Sequence, residues 1–270
     1  MLKSLRNLLR PAAAPMPATL PPGQRVYAVG DIHGRADLFA RLIKAIEQDD
    51  RQRGAMDTTV ILLGDLIDRG PDSRGVLDLA RVWGTRRPLR VLMGNHEEML
   101  LKSLISLEAM RQFLRYGGQE TVLSFDVDEE AFLTAPFEEV QAMLSARISP
   151  ALLDFIRGFE ASVRMGDYVF VHAGIRPGVP IEEQTTEDTR WIREPFLSST
   201  QGHGAVIVHG HTITQDVEVR PNRLGIDTGA YLSGRLTALG LEGQERWLIE
   251  ANQDDETGEI AVTTRPLSEA

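Results

Sequence analysis

Five short clusters hold the residues able to do chemistry. They are Gly30-Asp31-Ile32-His33-Gly34, Gly64-Asp65-Leu66-Ile67-Asp68-Arg69-Gly70, Gly94-Asn95-His96-Glu97, His172-Ala173-Gly174 and His209-Gly210-His211-Thr212. Carboxylate, imidazole and amide oxygen together suit a divalent ion such as Mn, Fe or Zn rather than copper or an iron–sulfur centre. In an extended segment, Asp31 and His33 point the same way and can grip one ion. Two carboxylates, three or more histidines and Asn95 exceed the needs of one ion. The surplus predicts two ions about 3.5–4 Å apart with one carboxylate between them.

Each cluster follows a short apolar run, at 26–29, 60–63, 89–93, 168–171 and 205–208, and a further run lies at 224–226. Runs this short, rich in Val, Ile and Leu, fit strands buried on both faces. Ligand groups in open α/β sheets gather at the carboxyl ends of strands, so the five clusters can converge. Helical spacing appears between the first runs, in Leu38, Leu42, Ile43 and Ile46 and again in Val76, Leu79, Ala80 and Trp83. Pro71, Asp72 and Ser73 read as a helix start. Met99, Leu100, Leu104, Ile105 and Leu107 carry a third helix after Asn95.

Strand and helix thus alternate through the first half, which predicts an α/β fold of crossover units. Residues 97–165 read as a helical insertion, broken at Gly117-Gly118 and over 125–137. The second half is strand-rich and ends in two hairpin strands, 235–241 and 246–250. The expected organisation is a basic, proline-rich tail over 1–24, one domain over 25–250 and a C-terminal extension over 251–270. Lys3, Arg6 and Arg10 interrupt any signal-peptide core.

In their order and spacing, GDIHG, GDLIDRG and GNHE resemble the three signature blocks of the PPP-type metallophosphoesterases. This is the family of Ser/Thr protein phosphatases with bacterial and phage relatives. The later VHAG, Trp191-Ile192-Arg193 and GHT are similar to its looser motifs, so the resemblance spans about 25–241. It implies a four-layer α-β-β-α sandwich of two mixed sheets and two divalent ions, Mn foremost and Fe or Zn as alternatives. It implies Asp31 and His33 on the first ion, Asp65 between both, and Asn95, His172 and His211 on the second. His96 becomes the general acid and Asp68 its orienting partner, while Arg69, Arg193 and Asn95 hold the phosphoryl group.

The chemistry agrees with those roles. Water between two cations ionises near neutral pH, a histidine can protonate the leaving oxygen, and arginine forks match phosphate geometry. The implied activity is hydrolysis of phosphomonoesters on Ser or Thr of proteins. The alternative is a dinucleoside polyphosphate or nucleotide substrate, and a remote one is an inactive protein-binding scaffold. Retention of Asp68 and Glu97 favours the first reading.

Turn chemistry competes as an explanation for single Asp and Asn residues beside Gly, but it does not explain three blocks in order. His209 and His211 both end one strand and could face the same way. Alignment on Gly-His-Thr favours His211 and leaves His209 open. Arg176 and Arg190 rival Arg193, and Asp227 and Tyr231 sit on a plausible rim of the site.

The 270 residues contain no cysteine, which excludes thiolate nucleophiles and Cys-rich metal sites. A net charge of −10 disfavours duplex nucleic acid as a partner. Residues 120–140 hold seven acids and no base, and 242–260 hold seven acids and one base, so the remainder is positive on balance. An anionic phosphate substrate therefore remains compatible with the acidic whole. No run approaches a transmembrane length, and the expected location is cytoplasmic.

Overall fold

The computed structural model of the protein describes residues 18–267; the basic segment 1–10 and the first prolines of the tail lie outside the described residues. The chain opens with β1 (Gln24–Val29), α1 (Ala36–Arg53), β2 (Asp57–Leu62), α2 (Ser73–Gly84) and β3 (Leu89–Val91). Six helices follow: α3 (Asn95–Ser103), α4 (Leu107–Phe113), α5 (Gln119–Ser124), α6 (Glu129–Thr134), α7 (Phe137–Arg147) and α8 (Pro150–Arg157). Then come β4 (Ser162–Met165), β5 (Tyr168–Val171), α9 (Thr186–Trp191), β6 (Val206–His209), β7 (Glu218–Arg220) and β8 (Arg223–Gly225). The chain closes with α10 (Ala230–Ser233), β9 (Arg235–Glu242), β10 (Glu245–Gln253) and β11 (Ile260–Pro266).

These strands form two mixed sheets. The first has the order β11-β10-β9-β1-β2-β3 and the second β4-β5-β6-β8-β7. Strand β1 is parallel to β2 and β2 to β3, while β9 runs antiparallel to β1. In the second sheet β5, β6 and β8 are parallel, with antiparallel β4 and β7 at the edges.

The all-apolar runs follow from this layering, because each central strand is buried on both sides. Val26 and Ala28 enter the inter-sheet core with Ile61, Phe170, Val208 and Leu239. Tyr27 and Val29, alternating with them, face the helices with Leu38, Phe39, Leu42 and Val76. Each Val, Leu, Ile or Phe among them contributes about 1.5–3 kcal/mol on full burial. Helix α2 starts where expected, with the Asp72 side chain accepting the Gly75 N–H at 2.7 Å.

The outer face of the second sheet is covered thinly, by Ile175, Ile192 and Phe196 from the loops on either side of α9. The architecture is the expected α/β sandwich, with an unequal fourth layer. Order begins ahead of β1, since Leu20 is buried and its N–H donates to the Gly243 carbonyl. Beyond residue 250 the chain completes β10 and returns as β11, an edge strand of the first sheet. No helix among the described residues is long and apolar enough to cross a membrane.

Candidate metal centre

The carboxyl ends of β1, β2, β3, β5 and β6 lie along one rim, and the polar clusters meet there. Asp31, His33, Asp65, Asp68, Asn95, His96, His172 and His211 are all buried. Among the described residues six non-glycine residues have positive φ, and five of them are His33, Asp65, Asp68, Arg69 and His211. Left-handed backbone costs free energy for such side chains, so strain is concentrated where side chains must be turned inward. The extended-segment reading of Asp31 and His33 is corrected here, because His33 sits at φ 45° in a turn.

Asp65 stands at the centre. Its Oδ2 lies 3.6 Å from His33 Nε2, 3.9 Å from His96 Nε2 and 3.4 Å from His172 Nε2. Two groups of potential ligand atoms share it: His33 with Asp65 and His96, and Asp65 with His172 and His211. Burial penalises the Asp65 charge, but His172 and His96 outweigh it and hold the carboxyl well below its ordinary value.

The donor chemistry calls for a positive charge. His172 Nδ1–H donates to the Leu63 carbonyl at 2.8 Å, so Nε2 faces Asn95 Oδ1 at 3.0 Å and Asp65 Oδ2 at 3.4 Å. A neutral imidazole there would set three acceptors against one another; a proton or a cation resolves the conflict. His33 Nδ1–H likewise donates to the Ile67 carbonyl at 2.8 Å, and its Nε2 accepts from Arg69 at 3.0 Å. Backbone carbonyls thus fix both tautomers with Nε2 turned to the centre, the usual arrangement of metal-binding histidines. Burial lowers His33 and His211 to about 3, so both stay neutral, and the buried Nε2 of His211 has no hydrogen-bond partner among the described residues.

Asp31 lies beside these two groups rather than within them. Its Oδ2 accepts the His211 N–H at 2.9 Å, while its buried Oδ1 has no partner among the described residues. Burial and the Asp227 and Asp65 carboxylates raise its pKa well above the ordinary value. A cation beside Asp31 and Asp227 would offset that cost.

His209 and His211 do not face the same way. His209 continues the outward face of β6 and packs on Phe196 at 5.1 Å. The left-handed His211 backbone, at φ 65°, swings its ring to within 5.1 Å of His172.

Beside Asp65, His96 Nδ1–H donates to Asp68 Oδ2 at 2.6 Å, and its Nε2 lies 3.0 Å from Arg69 Nη2. Burial pushes the His96 imidazole down, but the Asp65 and Asp68 carboxylates more than reverse it and hold the pKa raised. The Arg69 fork therefore spans His33 and His96, with its guanidinium 4.9 Å over the Tyr231 ring.

Arg69 and Arg193 line one cleft of about 530 Å³ with Asp65, Asn95, His96 and His211. Met99, Tyr116, Trp191 and Tyr231 supply its apolar wall. The rival arginines are engaged elsewhere, Arg176 with Asp188 and Arg190 with Glu98. Arg193 instead lines the cleft. Tyr231 and Asp227 both reach the centre, the former stacking edge-on against His33 at 5.3 Å.

Two further residues shape the site: Glu97, read from the sequence only as a mark of substrate, and Thr121, which the sequence did not point to. Glu97, fully buried in the first turn of α3, accepts the N–H groups of Asp65 at 3.0 Å, Leu66 at 2.7 Å and Gly94 at 3.0 Å. It thereby clamps the β2 and β3 ends together. A Cβ on Gly94 would stand 2.2 Å from Asp65 Oδ1, so only glycine fits beneath that carboxylate. Glu97→Gln places amide hydrogens against backbone N–H groups, and should lower unfolding free energy in urea by about 1–3 kcal/mol. The second residue, Thr121, is a neighbour of Asp68 that only tertiary structure could show.

Two mixed sheets with carboxylates and imidazoles converging on one rim define a metallophosphoesterase. The chain belongs to the calcineurin-like phosphoesterase family, whose profile matches residues 24–233, and within it to the PPP type. It is 30% identical over 220 residues to serine/threonine-protein phosphatase 1 of Salmonella typhimurium, covering 79% of this chain and 90% of that one. It is 26% identical over 233 residues to an asymmetrical bis(5'-nucleosyl)-tetraphosphatase of Halalkalibacterium halodurans, covering 78% and 87%. Among solved structures, a cold-active protein tyrosine phosphatase shares the fold at a TM-score of 0.58 and 20% identity, covering 93% of this chain and 82% of that one.

Proposed function

We propose that this hydrolase removes phosphate from phosphorylated Ser or Thr of proteins with the help of two divalent ions. Asp31, His33 and Asp65 would hold one ion, and Asp65, Asn95, His172 and His211 the other, with Mn the first choice. The observation that carries this reading is the sharing of Asp65 between two groups of buried histidines, with the His96–Asp68 pair alongside. When bound, the two ions supply water ionised near neutral pH and neutralise charge on the phosphoryl group.

The chain's own groups do the rest. Arg69 and Arg193 converge on the cleft and can fork onto phosphoryl oxygens, so Arg69 exchanges its histidine partners for substrate. That exchange releases His96 Nε2, which can then carry a proton to the leaving oxygen. Asp68 on Nδ1 keeps the ring oriented and its charge tolerable. The retained Asp68, Arg69 and Glu97 and the named phosphatase relative support a phosphoprotein substrate.

The test compares phosphoserine and phosphothreonine peptides with a dinucleoside tetraphosphate at equal Mn concentration. The expected result is faster peptide hydrolysis, abolished by chelator and restored by Mn. Preference for the tetraphosphate would overturn the substrate, and turnover in chelator would overturn the role of metal.

A further inference from the structure

The second block and the helical insertion meet in a closed set of hydrogen bonds. Thr121, fully buried on α5, donates its hydroxyl proton to Asp68 Oδ1 at 2.6 Å. With that proton committed, Thr121 Oγ1 accepts from the Asp68 N–H at 3.0 Å and from the Ser73 hydroxyl at 2.8 Å. Ser73 Oγ shares the Asp68 N–H at 2.9 Å. Every hydroxyl proton is thus accounted for: Ser73 donates to Thr121 and Thr121 to Asp68 Oδ1, while Asp68 Oδ2 accepts from His96.

The backbone holds the same junction. Asp68 and Arg69 are consecutive left-handed residues, at φ 72° and 68°. The Arg69 N–H donates to the Gly117 carbonyl at 2.9 Å. Gly117 itself has φ 105°, and a Cβ there would lie 2.7 Å from Arg69 Cγ. The glycine break between α4 and α5 is therefore a fitted surface under Arg69, and it delivers Thr121 to Asp68.

We propose that Thr121 is a positioning residue for proton donation, and that the helical insertion serves as the rear wall of the active site. This rests on the reading of His96 as the acid. Asp68 is fully buried, so without Thr121 its Oδ1 would be an unpaired acceptor free to rotate away from the imidazole. The Thr121 hydroxyl fixes the carboxylate plane, which points Oδ2 at His96 Nδ1 and Nε2 into the cleft.

The test uses the full chain with Mn and two substrates, phenyl phosphate and 2,4-dinitrophenyl phosphate. The first needs its leaving oxygen protonated and the second hardly does. Thr121→Val keeps shape and loses the hydroxyl, and should lower kcat on phenyl phosphate about 10-fold with KM little changed, in the range of partners that orient a functional group. On the dinitrophenyl ester the loss should shrink to about 2-fold. Thr121→Ser should restore most of the rate.

In the metal-free protein, proton NMR should show the His96 Nδ1–H resonance moving upfield in Thr121→Val and returning in Thr121→Ser. Equal losses on both esters, or an unmoved resonance, would overturn the proposal. His96→Ala run in parallel separates the two ideas. A steep leaving-group dependence in His96→Ala with none in Thr121→Val removes Thr121 alone. Its absence in both removes the acid role of His96 as well.

Discussion

Asp65→Asn is expected to empty both metal positions together and to lower kcat/KM by at least ~10³-fold. The argument is one of charge and geometry. Among the described residues Asp65 offers the only carboxylate oxygen within reach of His33, His96 and His172 at once, at 3.6, 3.9 and 3.4 Å. Asparagine preserves the Oδ1 bond from the His96 N–H and tolerates the left-handed backbone at φ 49°, so the loop can keep its shape. What changes is Oδ2, which becomes an amide that donates where the histidines and a cation need an anion. Loss of several kcal/mol of metal-assisted stabilisation corresponds to three or more powers of ten in rate. Metal content by mass spectrometry should fall from two ions per chain to near zero, with the circular dichroism unchanged. Retention of one tight ion would show that Asp65 serves a single position, and would overturn the shared site.

The expectation of a site was legible because its residues end buried strands, and burial writes itself into sequence. The runs at 26–29, 60–63 and 168–171 are apolar throughout because helices or loops cover one face and the opposite sheet covers the other. The polar clusters follow immediately, so chain order alone predicts that they gather. Edge strands carry no such mark. Strand β11 is almost wholly exposed and β7 only half-buried, so neither shows an apolar run.

The directions of side chains were equally hidden, because they depend on left-handed turns at His33, Asp65 and His211, a conformation uncommon for any residue but glycine. His209 illustrates the consequence. Period-two reasoning sends His209 and His211 the same way, but the turn after Gly210 parts them, one to Phe196 and one to His172. Thr121 was hidden for another reason. It reaches Asp68 across 53 residues of chain, and it sits in an acidic stretch whose composition reads as a solvated helix. Only the glycine break at 117–118 hinted that the insertion turns there toward something close.

His96→Ala is expected to lower kcat by ~10²–10⁴-fold while both ions stay bound, the range for loss of a positioned proton donor. The imidazole is tied at Nδ1 to a carboxylate, and its Nε2 enters the same cleft as Arg69 and Asn95. Both Asp65 and Asp68 favour its protonated form against the penalty of burial. A ring so held can give up a proton to a leaving oxygen and be recharged from solvent through the open cleft. The same nitrogen lies 3.9 Å from Asp65 Oδ2, close enough for an alternative role as a metal ligand. Metal content therefore decides the assignment: two ions retained with a slow enzyme identify the proton donor, and loss of an ion with the activity identifies a ligand. Truncation also strands Asp68 Oδ2 as a buried acceptor, so unfolding free energy should fall by about 1–3 kcal/mol. Rate per folded molecule must then be compared below the unfolding transition. Under that condition the rate deficit should grow as the leaving group becomes more basic, because a poorer leaving oxygen depends more on the proton it receives. A deficit independent of the leaving group would place His96 in substrate binding instead.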